Sequence, residues 1–245
     1  MMPTFLFCLL WLLVCPRPSH AQLPTKMTAQ PPLVFAISVD QGPSSMMAQR
    51  ILLEAYRQLG ISIRFEALPN PRIVALAMAG TLDGVDFRIA DTPLGDMKKI
   101  DVPIAYEELV VFSLNRSLKV SGYDSLQGYS IGYLSGARTV ENRLKGMRAD
   151  TAPNLESLFN KLQARRTDIV IDSRSSYCKA RKMGLDNIVM AEPPLERLLG
   201  YHWLSARYQT LIPRLEVALK KMKREEMIKK IQEDVLKIYN AQCGA

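Results

Sequence analysis

The sequence predicts an α/β protein of two lobes, in which each lobe is a mostly parallel sheet flanked by helices. Two stretches of the same kind support this prediction: residues 75–89, ALAMAGTLDGVDFRI, and residues 158–173, LFNKLQARRTDIVIDS. In each, an amphipathic helix precedes a Thr, an Asp and an apolar strand that ends in polar residues. A helix leading into a short apolar run is typical of a β-α-β crossover, which builds a parallel sheet. Because ligands bind beyond the carboxyl ends of such strands, two copies of the unit indicate two lobes with a shared cleft.

Length and composition fit this prediction. The chain has 245 residues, of which 48% are hydrophobic and 23% are charged, as in a soluble globular protein of one large or two ordinary domains. Its formal net charge of +8 can indicate an acidic or nucleic-acid partner. However, the lysines concentrate in residues 220–230, KKMKREEMIKK, where glutamates interrupt them. A solvated helix face explains this pattern better, and we expect no nucleic-acid partner.

The first 21 residues have the features of a secretory signal peptide. An apolar run over residues 5–14 is too short to span a bilayer, and the small-x-small sequence Ser19-His20-Ala21 follows it. We therefore expect cleavage before Gln22 and a periplasmic location. The start of the chain lacks the usual positive charge, so a retained membrane anchor is the alternative.

Removal of the leader would leave one histidine, His202, and two cysteines, Cys178 and Cys243. So few soft ligands argue against a structural zinc site, and we predict neither a metal nor a cofactor. In an oxidising compartment the two cysteines can form a disulfide. The sequence leaves open whether their Cα atoms come within bridging distance.

The chain after the leader opens with a strand and a helix. Residues 33–39, LVFAISV, predict a buried strand by their apolar and β-branched run. Apolar residues then recur at helical spacing between Met47 and Leu59, and Gly60 ends this helix.

A second strand, a second helix and a third strand follow. Apolar and polar residues alternate over residues 61–66, which predicts a strand. Asn70 followed by Pro71 predicts an N-cap and a proline at the first helical position, and Gly80 ends this helix. The third strand reaches Arg88, which completes a β-α-β-α-β unit.

The sequence pattern changes after the third strand. Residues 101–114 combine an extended polar segment with an apolar strand at 109–114, which we interpret as the first crossing between lobes. Residues 129–134 predict another strand, which ends in the small-residue turn 135–139 at the start of a helix. Backbone N–H groups at such a turn, with the helix dipole behind them, can bind an anion. The alternative is an ordinary strand-to-helix turn.

The rest of the chain returns to the first lobe. After the second helix-strand unit, residues 175–183 predict a helix, residues 185–190 predict a strand, and residues 200–204 begin the return segment. The tail from Pro213 is helical, but its apolar stripe changes phase. This predicts two helices, or one helix bent near Lys223.

In order and spacing, these elements resemble the periplasmic solute-binding proteins of family 3, the amino-acid-type receptors of ABC importers. The likeness covers nearly the whole chain after the leader. Its parts, in chain order, are the opening unit with ILLEAYRQLG, the G-x-x-D strand at 80–89, the Thr92-Pro93 turn with Asp101 and Tyr106, L-x-G-x-x-I-G-x-x-x-G at 126–136, R-x-D-x-V-x-D at 166–172 and the closing helices with Lys237-Ile238-Tyr239.

The resemblance implies a type II periplasmic-binding-protein-like fold, in which two crossing strands act as the hinge and the lobes close around a small solute. Mapped onto this chain, lobe one is residues 31–107 plus 199–245, and lobe two is residues 108–198. The implied ligand contacts are at strand ends and turns: Asp40, Gln41, Arg88, Thr92, Ser135, Gly136, Arg138, Thr139, Asp172 and Ser173.

The chain departs from this family at positions that bind an amino acid. Receptors of the family carry an arginine shortly after the Thr of the T-P turn, whereas this chain has Asp96 there. The aromatic-rich hairpin after the first strand is missing, and Ser173 occupies the usual position of the acidic residue for the α-amino group. Asp172 can then point to the far side of the sheet, because neighbouring strand residues face opposite ways. The sequence therefore leaves open whether the ligand is an amino acid.

Arg88 is the residue that we expect to bind the solute, because a guanidinium suits bidentate capture of a carboxylate or phosphate. Its alternative role is a surface salt bridge to Asp86 or Asp91. The alternative role of Asp172 is an N-cap on the following helix. Tyr106 either stacks on the ligand or is simply buried between the crossing strands.

The sequence thus predicts a non-catalytic monomer that binds a small polar, anionic solute between two lobes, for delivery to the membrane subunit of an ABC importer. Two other classes stay open. A dehydratase-like enzyme on this scaffold would need an acid or base in the cleft, and the candidates are His202, Glu107, Glu108, Asp40 and Asp172. A periplasmic sensing or partner-binding subunit would use the same closure to signal.

Overall fold

The computed structural model describes residues 31–90 and 92–243, so the predicted signal peptide and Asp91 lie outside the described residues. The strands are β1 (Leu33–Ser38), β2 (Ile63–Leu68), β3 (Gly84–Ile89), β4 (Lys98–Ser113), β5 (Ile131–Leu134), β6 (Ala149–Ala152), β7 (Ile169–Ser173), β8 (Val189–Met190) and β9 (Glu196–Leu204). The helices are α1 (Pro43–Gln58), α2 (Asn70–Met78), α3 (Arg138–Arg143), α4 (Leu155–Gln163), α5 (Ser176–Lys182), α6 (Ile212–Arg224) and α7 (Met227–Cys243).

The strands of the described residues form one mixed sheet in the order β2-β1-β3-β9-β4-β7-β5-β6, with β8 paired to β4. The pairs β1–β2 and β1–β3 are parallel, as are β5–β6 and β5–β7. Between these two parallel groups lie β9 and β4, which run antiparallel to each other and to their outer neighbours. Two parallel lobes joined by two crossing strands are the architecture that the sequence predicts.

The crossing strands are longer than predicted. β4 is continuous from Lys98 to Ser113; it pairs with β9 from Lys98 to Leu109 and with β7 from Leu109 to Ser113. The polar segment that we expected to lead into a strand is therefore itself a strand, because β9 supplies its hydrogen-bond partners. Pairing with β4 likewise extends β9, so this strand of the return segment begins at Glu196 and not at Gly200.

Each lobe buries apolar side chains on both faces of its sheet. Two neighbouring residues of β1 show this arrangement. Phe35 packs against α1, α6 and α7 on one face, and Ala36 packs against Ile73 of α2 on the other. In the second lobe, Val111 and Phe112 of β4 likewise join different clusters. This division follows from the strand pleat, which sends successive side chains to opposite faces.

The start of α2 differs from the sequence prediction. Pro69 occupies the N-cap position, and Asn70 is already in the helix. The side chain of Asn70 instead accepts a hydrogen bond from Arg88, 3.2 Å away. Gly80 follows the helix with φ of +69°, a conformation that favours glycine, so the predicted end of the helix is confirmed.

The tail contains two helices, as the change of phase predicts. α6 ends at Arg224 and α7 begins at Met227, and Glu226 between them has φ of +57°. Leu219 of α6 and Val235 of α7 are both fully buried in the core cluster of the first lobe.

The second lobe differs from the sequence prediction in two strands. β6 was not predicted, whereas the helix expected after the turn 135–139 forms as the short α3. The predicted strand over residues 185–190 is reduced to the two residues of β8. No helix within the described ranges is long and apolar enough to cross a membrane.

Candidate functional site

A polar cleft of about 830 Å³ opens at the carboxyl ends of β1, β3 and β7, where the two lobes face each other. The N-terminal turns of α1 and α5 also reach it. Residues of both lobes line the cleft, which is the position that a parallel-sheet architecture predicts for a ligand. Three networks of charged and polar groups make up most of its lining.

The first network belongs to lobe one and contains Arg88. Its Nη1 is 3.3 Å from Asp86 Oδ1 and also donates to the carbonyl oxygen of Phe87, while Nη2 donates to Asn70. Asp86 accepts a second hydrogen bond, of 2.7 Å, from Ser45 at the start of α1. The proposed anion-binding residue therefore lines the cleft and also pairs with Asp86, although this pair is largely buried and is not the surface salt bridge that we considered as its alternative role.

Burial controls the protonation of this network. The side chain of Asp86 is 1% exposed, and its burial raises its pKa to about 6, although Arg88 and the hydrogen bond from Ser45 oppose that rise. Burial lowers the pKa of Arg88, and the Asp86 carboxylate opposes this change. An anion that binds Arg88 has to share the guanidinium with Asp86.

The second network lies between the lobes and is centred on Glu107 of β4. Ser44 of α1 donates to Oε2 of Glu107 over 2.9 Å, and Ser173 of β7 donates to its other oxygen. Ser173 also lies 2.8 Å from Ser175. Burial raises the pKa of Glu107, while the two serine hydroxyls lower it. One carboxylate of a crossing strand thus contacts a hydroxyl from each lobe.

The third network belongs to lobe two. Asp172 at the end of β7 accepts a hydrogen bond of 2.6 Å from the hydroxyl of Ser176. The N-cap position of α5 is occupied by Ser175, so the proposed capping role of Asp172 is wrong. Burial raises the pKa of Asp172, and the hydrogen bond from Ser176 and the charge of Lys179 oppose it.

The cleft holds more acidic than basic side chains. Its basic residues within the described chain are Arg88 of lobe one and Lys179 of lobe two. The acidic residues are Asp40, Asp86, Glu107, Glu156 and Asp172. Their oxygens can accept hydrogen bonds from hydroxyl or amino groups, so the cleft can bind both an anionic group and several donors.

Five of the residues expected from sequence line this cleft, namely Asp40, Arg88, Thr92, Asp172 and Ser173. Asp172 lines the cleft together with its neighbour Ser173, so it does not face away from the cleft. Gln41 is exposed and does not line it; its side chain instead accepts a hydrogen bond from Gln49. Tyr106 lines a second cavity, beside the crossing strands.

The turn expected to bind an anion does not line the cleft. Ser135, Gly136, Arg138 and Thr139 are outside its lining, and only the preceding residue, Leu134, contributes to it. The backbone N–H groups of Ser135 and Arg138 already donate to carbonyls within the second lobe. α3, which follows the turn, is only six residues long, so the dipole behind it is weak.

Serines are the main site residues that the sequence analysis missed. Ser44, Ser45, Ser175 and Ser176 stand in the first turn or at the N-cap of α1 and α5 and line the cleft. The sequence signal for them is Ser-Ser just before an apolar periodic segment. The sequence pattern predicts only the start of a helix at these pairs, whereas the hydroxyls of Ser44, Ser45 and Ser176 bind the cleft carboxylates and that of Ser175 contacts Ser173.

Two candidates for acid–base catalysis do not line this cleft. His202 is fully buried: its Nδ1 is 2.7 Å from the carbonyl oxygen of Val85, and its Nε2 is 2.9 Å from the Tyr56 hydroxyl. Burial lowers the pKa of His202 to about 4. Glu108 is bound by both Arg174 and Arg197.

In the part of the chain that the structure describes, no group of three or more His, Cys, Asp or Glu side chains is arranged to hold a metal.

Comparison with solved structures identifies the architecture. The ligand-binding core of GluR0 in complex with L-glutamate has a TM-score of 0.67 at 12% identity, over 85% of this chain and 99% of that one. A histidine kinase sensor domain with similarity to periplasmic binding proteins also has a TM-score of 0.67, at 13% identity, over 85% and 97%. The chain has a two-lobed, periplasmic-binding-protein-like fold.

One further solved structure agrees with this fold. The substrate-binding protein of an amino acid ABC transporter has a TM-score of 0.57 at 16% identity, over 84% of this chain and 99% of that one. An uncharacterized protein of Shewanella oneidensis is 28% identical over 196 residues, which are 76% of this chain and 74% of that protein. No protein-family model matches the sequence.

Proposed function

We propose that this protein reversibly binds a small polar solute in the cleft between its lobes, without catalysis, and closes around it. The observation that supports this proposal best is the position of Glu107. It lies on a crossing strand, and its carboxylate contacts Ser44 of one lobe and Ser173 of the other. A solute that engages this network contacts both lobes at once, and its binding therefore favours the closed arrangement.

The solute carries an anionic group together with several hydrogen-bond donors. Arg88 and Lys179 belong to different lobes, and an anion held by both would draw the lobes together. A solute with negative charge alone would leave Asp86, Glu107 and Asp172 without new donors. Hydroxyl or amino groups on the same molecule would satisfy these carboxylates.

We further propose that the protein acts in the periplasm and delivers its solute to the membrane subunit of an ABC importer. The predicted signal peptide and the likeness to the substrate-binding protein of an amino acid ABC transporter support this role. Uptake of the identified solute by cells with and without the protein tests it. Unchanged uptake would contradict delivery and favour a sensing role.

A thermal-shift screen tests solute binding itself. We expect at least one anionic solute with hydroxyl or amino groups to raise the melting temperature, because a ligand that binds the folded state stabilises it. Small-angle scattering should show a smaller radius of gyration with that solute. Arg88→Ala should weaken the shift, and Arg50→Ala, on the exposed face of α1, should not. A shift that persists in the Arg88 variant would show that Arg88 does not bind the anionic group of the solute.

A further inference from the structure

A second cavity of about 400 Å³ lies beside the crossing strands and shares Ser44, Glu107 and Ser175 with the cleft. Lobe one contributes α1 and α7 to its wall, and lobe two contributes α5 and β8. Its volume falls within the usual range for small-molecule sites, which is roughly 300–1,000 Å³. The proposed solute-binding function uses only these shared residues of its wall.

The wall of the second cavity combines aromatic and aliphatic side chains with a few charged ones. Tyr106, Tyr177 and Tyr239 contribute aromatic rings, and Met47 and Leu236 contribute apolar side chains. The main cleft is lined mostly by carboxylates and hydroxyls. The two cavities therefore differ in the aromatic rings that they offer to a guest.

The charged groups in this wall already have partners: Glu107 accepts hydrogen bonds from Ser44 and Ser173, and the others bind one another. Glu108 accepts hydrogen bonds from Arg174 and from Arg197, the latter over 2.6 Å. The remaining guanidinium nitrogens of Arg174 bind Glu192. The Arg197 guanidinium also lies 4.4 Å above the centre of the Tyr106 ring. A charged guest would have to break these pairs or remain unpaired, and both are costly away from water.

Two contacts between α5, or the residue before it, and α7 hold the wall of the cavity in place at its rim. The disulfide between Cys178 of α5 and Cys243 of α7 holds these two helices with their Cα atoms 5.2 Å apart. The hydroxyl of Tyr239 in α7 donates to the carbonyl oxygen of Ser175, 3.0 Å away. Both contacts join lobe one to lobe two at the edge of the cavity, so the space does not depend on loops alone.

From this geometry we infer a second ligand site, which takes a small, uncharged aromatic molecule between α1, α5, α7 and the crossing strands. Its guest contacts apolar walls of both lobes and leaves the Glu108 ion pairs intact. The site is separate in chemistry from the proposed solute cleft. Its occupancy can be measured without any solute in that cleft.

The test uses the neutral fluorophore N-phenyl-1-naphthylamine, whose emission rises in an apolar environment, and the purified protein. We expect a saturable increase with one site per chain. The matched anionic probe 8-anilinonaphthalene-1-sulfonate adds a sulfonate to the same ring system, and we expect it to bind about tenfold more weakly. Equal or tighter binding of the sulfonate would overturn the assignment to uncharged guests. The absence of any saturable signal from the neutral probe would overturn the site.

Variants locate the bound probe. Leu236→Trp replaces an aliphatic side chain of the cavity by an indole ring and should weaken binding of the neutral probe at least about tenfold. Val217→Trp adds the same ring at a position on α6 that is 66% exposed, and should leave binding unchanged. If Leu236→Trp melts early, Asn240→Trp at the exposed rim serves in its place. Equal binding by the filled variant and the control would contradict the site.

A cleft variant separates this proposal from the proposed function. Arg88→Ala should bind the neutral probe as wild type does, because Arg88 lines only the main cleft. If Arg88→Ala abolishes probe binding while Leu236→Trp preserves it, the probe occupies the solute cleft and the second site is wrong. Failure of the solute screen would leave the probe result unaffected.

Discussion

Arg88 and Asp86 form an ion pair inside the cleft, with 3.3 Å between Nη1 and Oδ1. Their side chains are 15% and 1% exposed, so water screens this pair less than it screens a surface pair. The pair orients the guanidinium together with Asn70 and the carbonyl of Phe87. It also means that the strength of solute binding at Arg88 depends on the charge of Asp86.

Arg88→Ala should weaken binding of the solute by roughly 10- to 150-fold, because a hydrogen bond to a charged group contributes about 1.5 to 3 kcal/mol. Arg88→Lys should restore part of the affinity, since an ammonium lacks the planar fork of a guanidinium. Calorimetric titration measures both variants, and a melting curve controls for folding. Affinity equal to wild type in Arg88→Ala would show that Arg88 only orders Asp86.

The pH dependence of stability should change in Asp86→Asn. The folded state raises the pKa of Asp86 from 3.8 to about 6, so between these values the folded state binds more protons than the unfolded state. The contribution of Asp86 to stability is therefore largest below pH 3.8 and is lost as pH rises through 6, by about 3 kcal/mol. Asparagine cannot titrate, so the variant should gain stability relative to wild type between pH 4 and pH 7.

Chemical denaturation of the wild type and Asp86→Asn at several pH values measures this difference. The exchange of a protonated carboxyl group for an amide displaces the variant curve by a constant amount, and the effect of Arg88 is already contained in the pKa of Asp86. The slope is therefore the informative quantity. Parallel stability curves over this range would contradict the raised pKa.

Glu107→Leu should shift the balance between open and closed lobes. The substitution removes the carboxylate that accepts from Ser44 and Ser173, and each such bond has a net value of about 1 kcal/mol. We expect a larger radius of gyration in solution and solute binding weakened by about tenfold or more. Glu141→Leu, an exposed position on α3, is the matched control. Identical scattering curves for the two variants would argue against a hinge role for Glu107.

The disulfide between Cys178 and Cys243 should contribute to stability. It closes a loop with a sequence separation of 65, for which chain entropy predicts about 4 kcal/mol. Urea denaturation of the Cys178→Ser, Cys243→Ser double variant should show a loss of this order. A reducing agent should destabilise the wild type and leave the double variant unchanged.

Thiol labelling provides a direct check of the same bond. The denatured, unreduced protein should expose no free thiol from either cysteine. Two labelled thiols would show that the pair stays reduced, and the loss of stability expected above would then not occur.

The elements with strong periodicity were predictable from sequence. The apolar stripe of α1, with Met47, Ile51 and Leu52, is buried as its spacing predicts. The phase change near Lys223 correctly predicted separate helices α6 and α7. These signals are local, because the spacing of apolar residues within one helix is enough to predict which face it buries. The segment of β6 carries no such pattern, and it becomes a strand because β5 supplies its hydrogen-bond partners.

For the candidate site, the sequence determined which polar residues follow β1, β3 and β7, because a strand end is set by where its apolar run stops. It therefore placed Arg88, Asp172 and Ser173 at one edge of the sheet, and the structure lines the cleft with all three. Only the tertiary structure decided their partners. The separation of Ser44 from Glu107 and of Glu107 from Ser173 exceeds sixty residues, and no local pattern reports such contacts. The same holds for Cys178 and Cys243, whose bridging distance depends on how α5 and α7 pack across the lobes.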